Sequence, residues 1–258
     1  MAVAVVHANS YGPASYSGGG TTWTASYTVP STVAGNALLV FVCQDNIEGT
    51  PVTYAPTDNK GNTYHSIFST NGSSNGGQIA HVSAYVAYNV AAGTTTITVP
   101  IGGGCCCGIL ASANALIAYE LSGVGTTNPV DVFNSAGGTQ SGLTTSGNIT
   151  TTYATGTAAS EIVVGAVNEA FGIVGGPTFA SDPGFTADGS GSYGAYVSSV
   201  GVKSEYRLIA SNGTYAASMP VTSGGAAANS KVLGIVALGP APTVTHIQRQ
   251  LMLTGVGR

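Results

Sequence analysis

The sequence predicts an all-β fold: an antiparallel β-sandwich body made of two pseudo-repeats, with extended N- and C-terminal arms. Three observations lead to it. Residues 28–42, TVPSTVAGNALLVFV, end one strand, turn on Pro and Gly/Asn, and launch six consecutive apolar residues from Ala37. A run of that length, bounded by turn residues, suits a strand covered on both faces. No stretch sustains a capped 3.6-residue apolar period, whereas β-branched Thr and Val recur throughout, as strands prefer. Finally, a weak copy of the first half returns in the second, and a repeat constrains architecture before any site does.

Taken in order, residues 1–20 are apolar and then Gly/Ser/Tyr-rich, an N-terminal strand or arm followed by a loop. Residues 22–29, TWTASYTV, alternate Trp23, Ala25 and Tyr27 against Thr22, Thr24 and Ser26, the pattern of a half-buried antiparallel strand. The buried strand 37–43 follows, then a short strand at 52–54. Residues 58–64, DNKGNTY, combine Asx side chains and Gly as a tight reversal requires, and a strand leaves it through Phe68. Residues 79–90 form a long strand with Tyr85 and Tyr88, turned by Ala91-Ala92-Gly93 into TTTITV (94–99), which Pro100 ends. A cysteine-containing loop leads to the strand ALIAYEL at 115–121.

The second half repeats this scheme. Residues 84–100 align without gaps on 204–220, placing Gly93 on Gly213, Thr94 on Thr214 and Pro100 on Pro220. Residues 34–40 resemble 158–164, and 232–238 answer 115–121. The pseudo-repeats cover residues 22–123 and 143–240 of a body at 21–240, as one sandwich or two lobes. The Gly-rich link between them carries Val130-Asp131-Val132-Phe133, suited to packing across both halves, and favours one continuous body. Gly239-Pro240-Ala241-Pro242 stops the last strand, since Pro lacks the ladder N–H. Residues 241–258 then form an arm.

The order VP…AGNALLVFV, DNKGNTY, VAAGTTTITV, YELSGV, then EIVVGAV with a second GTY, resembles a family of β-sandwich proteins from tailed phages and bacterial surfaces, the capsid decoration, cement and head-fibre type. The likeness spans residues 22–239, and its motifs mark strands and turns rather than a catalytic centre. It implies a jelly-roll-like form of the sandwich and a structural protein of the virion, assembled in the host cytoplasm and exposed outside. The partners it implies are a major capsid or other shell protein and further copies of the chain. The cysteine loop and the arm at 241–258 depart from the family pattern.

Composition narrows the function classes. Charged residues are 6% of the chain and Gly occupies 38 positions, against roughly a quarter charged in ordinary domains. The surface is therefore Thr, Ser, Asn and Gly. A net charge of −4 with six scattered Lys and Arg offers no footprint for nucleic acid. No run reaches the ~18 apolar residues of a membrane-spanning helix, and the first residues lack the basic start of a secretory signal.

Catalytic patterns are not evident. Glu120, Glu161 and Glu169 are spread over strands with nothing to pair them, while glycosidase chemistry needs two facing carboxylates. His7, His65, His81 and His246 show no metal-ligand spacing, and no cofactor motif occurs. Asp45, Glu48, Asp58, Asn59 and Asn62 lack the loop spacing of a calcium site, so turn chemistry is preferred. The expectation is a non-enzymatic protein without cofactor or metal.

Cys105, Cys106 and Cys107 are consecutive behind three glycines. Neighbouring Cα atoms about 3.8 Å apart are too close for an ordinary bridge, so these read as small buried hydrophobes or as thiols that cross-link subunits. The partner-binding candidates are Ile247, Arg249, Leu251, Met252 and Leu253 in the arm, which would add a strand to a neighbour. Tyr11, Tyr16, Tyr193 and Tyr196 fall in Gly/Ser-rich sequence and, with Trp23, suit a host glycan. An adhesin-like glycan-binding module and a filament subunit using strand donation are the alternatives to the virion reading.

Overall fold

The structure, a computed structural model, describes residues 2–11, 22–46, 52–53, 55–74, 78–102, 114–153, 159–171, 177–195, 198–224 and 229–240. These form eighteen strands and no helix. In the first half they are β1 (Ala4–Tyr11), β2 (Thr22–Thr32), β3 (Ala37–Asn46), β4 (Val52–Thr53), β5 (Thr57–Asp58), β6 (His65–Asn71), β7 (Ile79–Tyr88), β8 (Gly93–Gly102) and β9 (Asn114–Ser122). In the second they are β10 (Val130–Thr139), β11 (Ile149–Thr150), β12 (Glu161–Phe171), β13 (Thr178–Phe179), β14 (Thr186–Ala195), β15 (Ser198–Ile209), β16 (Thr214–Tyr215), β17 (Val221–Ser223) and β18 (Ser230–Leu238).

Two five-stranded antiparallel sheets, β1-β9-β3-β7-β6 and β10-β18-β12-β15-β14, form the middle of the molecule. They pack on each other through Leu39, Phe41 and Ile117 from one half and Ile162, Val164 and Val236 from the other. Each is covered on its outer side. Leu38, Val40 and Val42 meet Tyr27, Val29, Ile97 and Val99 of the β2-β8 layer. Val163, Val167 and Leu233 meet Ile149, Phe179 and Met219 beneath the short β11-β16 and β13-β17 pairs. Residues 37–43 are therefore fully buried on both faces, as the unbroken apolar run anticipates. The outer layers alternate instead: Tyr27 and Val29 point inward, Ser26 and Thr28 outward.

Threonine does on the outer strands what charge does elsewhere. Thr28 pairs with Thr96 at 3.0 Å, Thr150 with Thr214 at 3.3 Å and Thr178 with Thr222 at 2.8 Å, all exposed cross-strand contacts that stabilise a sheet without charged side chains.

The two halves share one topology. Strand order matches position by position, and a bulge follows Val5↔Leu121 just as one follows Val130↔Leu238. Val40 faces Tyr85 and Ala118 across its two ladders, while Gly165 faces Glu205 and Ile235. Tyr85 to Glu205 keeps the displacement of 120 read from the sequence.

The alignment of residues 34–40 on 158–164 is corrected by one residue, because Val40 corresponds to Gly165 and not Val164. The slip matters. Leu38 packs on the outer layer and Ile162 in the shared core, and with a side-chain period of two a one-residue shift exchanges faces. The repeats also begin one strand earlier than residues 22 and 143. Ala4–Tyr11 is an edge strand rather than an arm, and the link strand Val130–Thr139 is its counterpart.

Candidate functional site

At one side of the molecule, edge strand β6 of the first sheet runs beside edge strand β10 of the second. At one end the two edges are tied. Ser73 N–H donates to Gly138 O at 3.1 Å, and the Thr70 and Ser135 hydroxyls meet at 2.6 Å. Gly137 permits the approach, since a Cβ there would lie 1.8 Å from Asn71 O. Toward the other end they splay and leave a groove of about 450 Å³, the lower part of the ligand-pocket range.

The groove is the open margin of the shared core. Its apolar lining is Ile67, Val86 and Val130, which pack in the shared core, with Val132, which packs on the outer cluster of the second half. On one rim His65 stacks on Tyr88, centroids 4.7 Å apart and planes within 5°. On the other stands Phe133, 47% exposed, and two further rings connect it to the interior. Phe133 stacks on Phe68 at 6.2 Å, and Phe68 tilts against fully buried Phe41 at 6.4 Å. Gly234 makes room for this ladder, for a Cβ there would sit 2.3 Å from Phe68 Cζ. An aromatic side chain held from below and open above is preorganised, so a contact with it would need little ordering. Asp131 also lines the groove, its oxygens accepting the Thr152 N–H and O–H, each at 2.6 Å.

At the matching described positions, the pseudo-equivalent margin between β1 and β14 has no such rim. By the ladder correspondence, Tyr88 becomes Leu208 and Phe133 becomes Ala8. His65, Tyr88 and Phe133 escape sequence reasoning as a group because the fold alone joins them. The usable signal was Val130-Asp131-Val132-Phe133, an apolar stretch inside a Gly-rich link.

Two carboxylates of the first half are committed to structure. Glu120, inside β9, is fully buried. It accepts Val33 N–H at 2.7 Å, Asn36 Nδ2–H at 2.7 Å and His7 Nδ1–H at 2.6 Å, joining β1, the β2–β3 turn and β9. Glu120→Ala is expected to cost about 2 kcal/mol, the penalty of stranding half-buried donors, measured by urea unfolding. A loss under about 0.5 kcal/mol would mean that water replaces the carboxylate freely. Asp58 accepts Lys60 N–H, Asn62 N–H, Asn62 Nδ2–H and Tyr64 O–H. The DNKGNTY segment is thus a side-chain-locked turn.

Beneath the outer layer of the second half lies a buried polar group. Asp182 accepts Ser218 N–H at 2.6 Å, Ser218 Oγ–H and Met219 N–H. Burial opposes its charge, but these donors and the Glu205 side chain hold its pKa below the usual carboxylate value. Glu205 accepts Asp182 N–H at 2.8 Å; burial, reinforced by Asp182, raises its pKa to about 8. Glu169 accepts Asn229 Nδ2–H at 2.9 Å, and burial raises it to about 7. The Lys203 ammonium donates to Phe179 O at 2.9 Å and is lowered chiefly by burial. These groups tie β12, β15 and β18 to the loops above them. Among the described residues, no group of three or more His, Cys, Asp and Glu is placed to hold a metal ion.

The other sequence candidates are placed as follows. Cys105, Cys106, Cys107, Ile247, Arg249, Leu251, Met252 and Leu253 lie outside the described residues, as do Tyr16 and Tyr196. Tyr11 ends β1 and Tyr193 lies within β14, so these two belong to strands rather than loops. Cys43 is buried and free, its thiol pushed well up by burial. Set beside known protein families, curated proteins and solved structures, the chain finds no match.

Proposed function

We propose that the chain is a structural, non-enzymatic protein of a tailed-phage virion, of the decoration or cement kind, which stabilises a shell through contacts repeated by symmetry. The observation that carries this reading is a division of labour. Glu120, Asp58, Asp182 and Glu205 are spent on holding strands and turns together, while an open apolar margin with a rigid aromatic rim is left facing solvent. A body of that kind suits adhesion to a repeating partner, where each copy binds weakly and the lattice gains from many. The sequence resemblance supports the same reading, and so does the Thr-rich, charge-poor exterior.

The test adds purified protein to shells that lack it. Saturable binding at a fixed copy number and a higher shell rupture temperature are expected, with binding weakened when residues 243–258 are deleted. Absence of the protein from purified virions would overturn the reading.

A glycan-binding module is the second reading, favoured by the stacked His65–Tyr88 pair and exposed Phe133 beside Asp131. It requires that the isolated protein bind a glycan and that Phe133→Ala abolish the binding.

A further inference from the structure

We infer that the groove between β6 and β10 is the receptor for the segment after Pro240 of a second copy of this chain, residues 247–253 lying in it as an added extended strand. The inference deepens the structural reading by naming the partner of one surface, and it rests on that reading only for its biological setting.

The first argument is where the described chain ends. Leu238 pairs with Val130, a groove residue, and Gly239 continues that ladder. The Gly239 N–H donates to Pro129 O at 2.9 Å, and its carbonyl accepts Gly125 N–H at 2.9 Å. Gly239 is thus held on both sides in the direction of β18. The following Pro240-Ala241-Pro242 has two fixed φ values and favours extension over reversal. Folding back into its own groove would require the chain to reverse between Pro240 and Ile247, against the extension that the two prolines favour. An extended chain of seven residues spans about 25 Å, enough to carry Ile247 to an adjoining body.

The second argument is complementarity. Residues 241–258 contain two of the six Lys and Arg and none of the ten Asp and Glu. They are cationic, while the rest of the chain is acidic, and Asp131 lies in the groove. In an extended conformation Ile247, Arg249, Leu251 and Leu253 share one face. That is three apolar side chains for an apolar lining and one guanidinium for the carboxylate at its edge.

The third argument is that, of the two pseudo-equivalent margins, the other has Leu208 and Ala8 at the described positions where this one has Tyr88 and Phe133. One donor segment and one aromatic receptor per chain make a head-to-tail contact, and β-strand addition to an exposed edge is an established way of binding extended segments.

The experiment uses the full chain and two blocked forms, Phe133→Asp in the groove and Leu251→Asp with Leu253→Asp in the segment, compared by analytical ultracentrifugation. Wild type is expected to self-associate and each blocked form to sediment as a monomer with an unchanged thermal transition. Their equimolar mixture should form a one-to-one complex, because one supplies an intact segment and the other an intact groove. Should Phe133→Asp disturb folding, a photo-crosslinker at position 251 of the otherwise native chain replaces it. Mixed light and heavy copies should then give inter-copy links to β6 or β10.

A monomeric wild type, links only within a copy, association that persists in either blocked form, or links elsewhere would each overturn the inference. So would a glycan that binds at Phe133 without competing with self-association. Since no shell takes part, failure here leaves the virion reading standing, and failure to bind shells leaves this contact intact.

Discussion

Replacing Phe41 by Ala is expected to destabilise both halves of the protein together, by about 3–5 kcal/mol, the usual cost of deleting a fully buried aromatic side chain. Phe41 lies on β3 with no exposed surface, in the core shared by the two central sheets, and supports Phe68 and through it Phe133. The informative part is the shape of the transition. Because Ile162, Val164 and Val236 of the second half belong to the same cluster as Phe41, a cavity there weakens the surface by which each half covers the other. Near-ultraviolet and far-ultraviolet signals should melt at one lowered midpoint. Two separated transitions, with only the earlier one moved, would show that the halves are independent units and that the shared core contributes little.

The second large effect concerns pH. Glu205 is fully buried, and its pKa rises from 4.5 to about 8; that of Glu169 rises to about 7. Between the unfolded and folded values the native state binds more protons than the unfolded state, so stability falls as pH rises through this window. The groups around them act in other ranges. His81 is lowered to about 4, which makes stability rise between about pH 4 and 6.5 and leaves it constant above. Asp182, held low, contributes above the unfolded carboxylate pKa and loses its contribution as pH falls through its folded value. Lys203 and Lys231, both lowered by burial, act on the alkaline side.

From pH 6.5 to 8, therefore, the melting temperature should fall, with Glu205 alone accounting for about 2 kcal/mol at ~1.4 kcal/mol per unit. Glu205→Gln retains an acceptor for Asp182 N–H and carries no charge. It should flatten this decline and exceed wild type in stability at pH 8.5. A variant that melts in parallel with wild type across the range would show that Glu205 is ionised in the fold at little cost.

Much of this architecture was legible in the sequence, because local chemistry decides it. Residues 37–43 cannot be apolar without interruption unless both faces are covered. Asp58 closes its own turn onto Lys60, Asn62 and Tyr64 through bonds spanning six residues or fewer, so the turn is recognisable without the distant bonds by which Asn59 and Asn62 fasten it to Thr94, Thr96 and Ala91. The paired order of strands in the two halves was likewise present as a repeat of apolar runs and Gly/Thr turns.

Tertiary structure decided the rest, for reasons of period and distance. Apolar runs identify a strand but not which of two equally apolar faces meets which layer, so the alignment of β3 with β12 was one residue out until both ladders set it. β14, with glycines among Ser, Asp and Ala, offers little side-chain pattern, and its place comes from main-chain pairing with β15. The groove was the least visible feature. His65, Tyr88 and Phe133 are separated by tens of residues and acquire a common surface only where the edges of two sheets diverge, an event that depends on backbone twist and packing rather than on any adjacent residues.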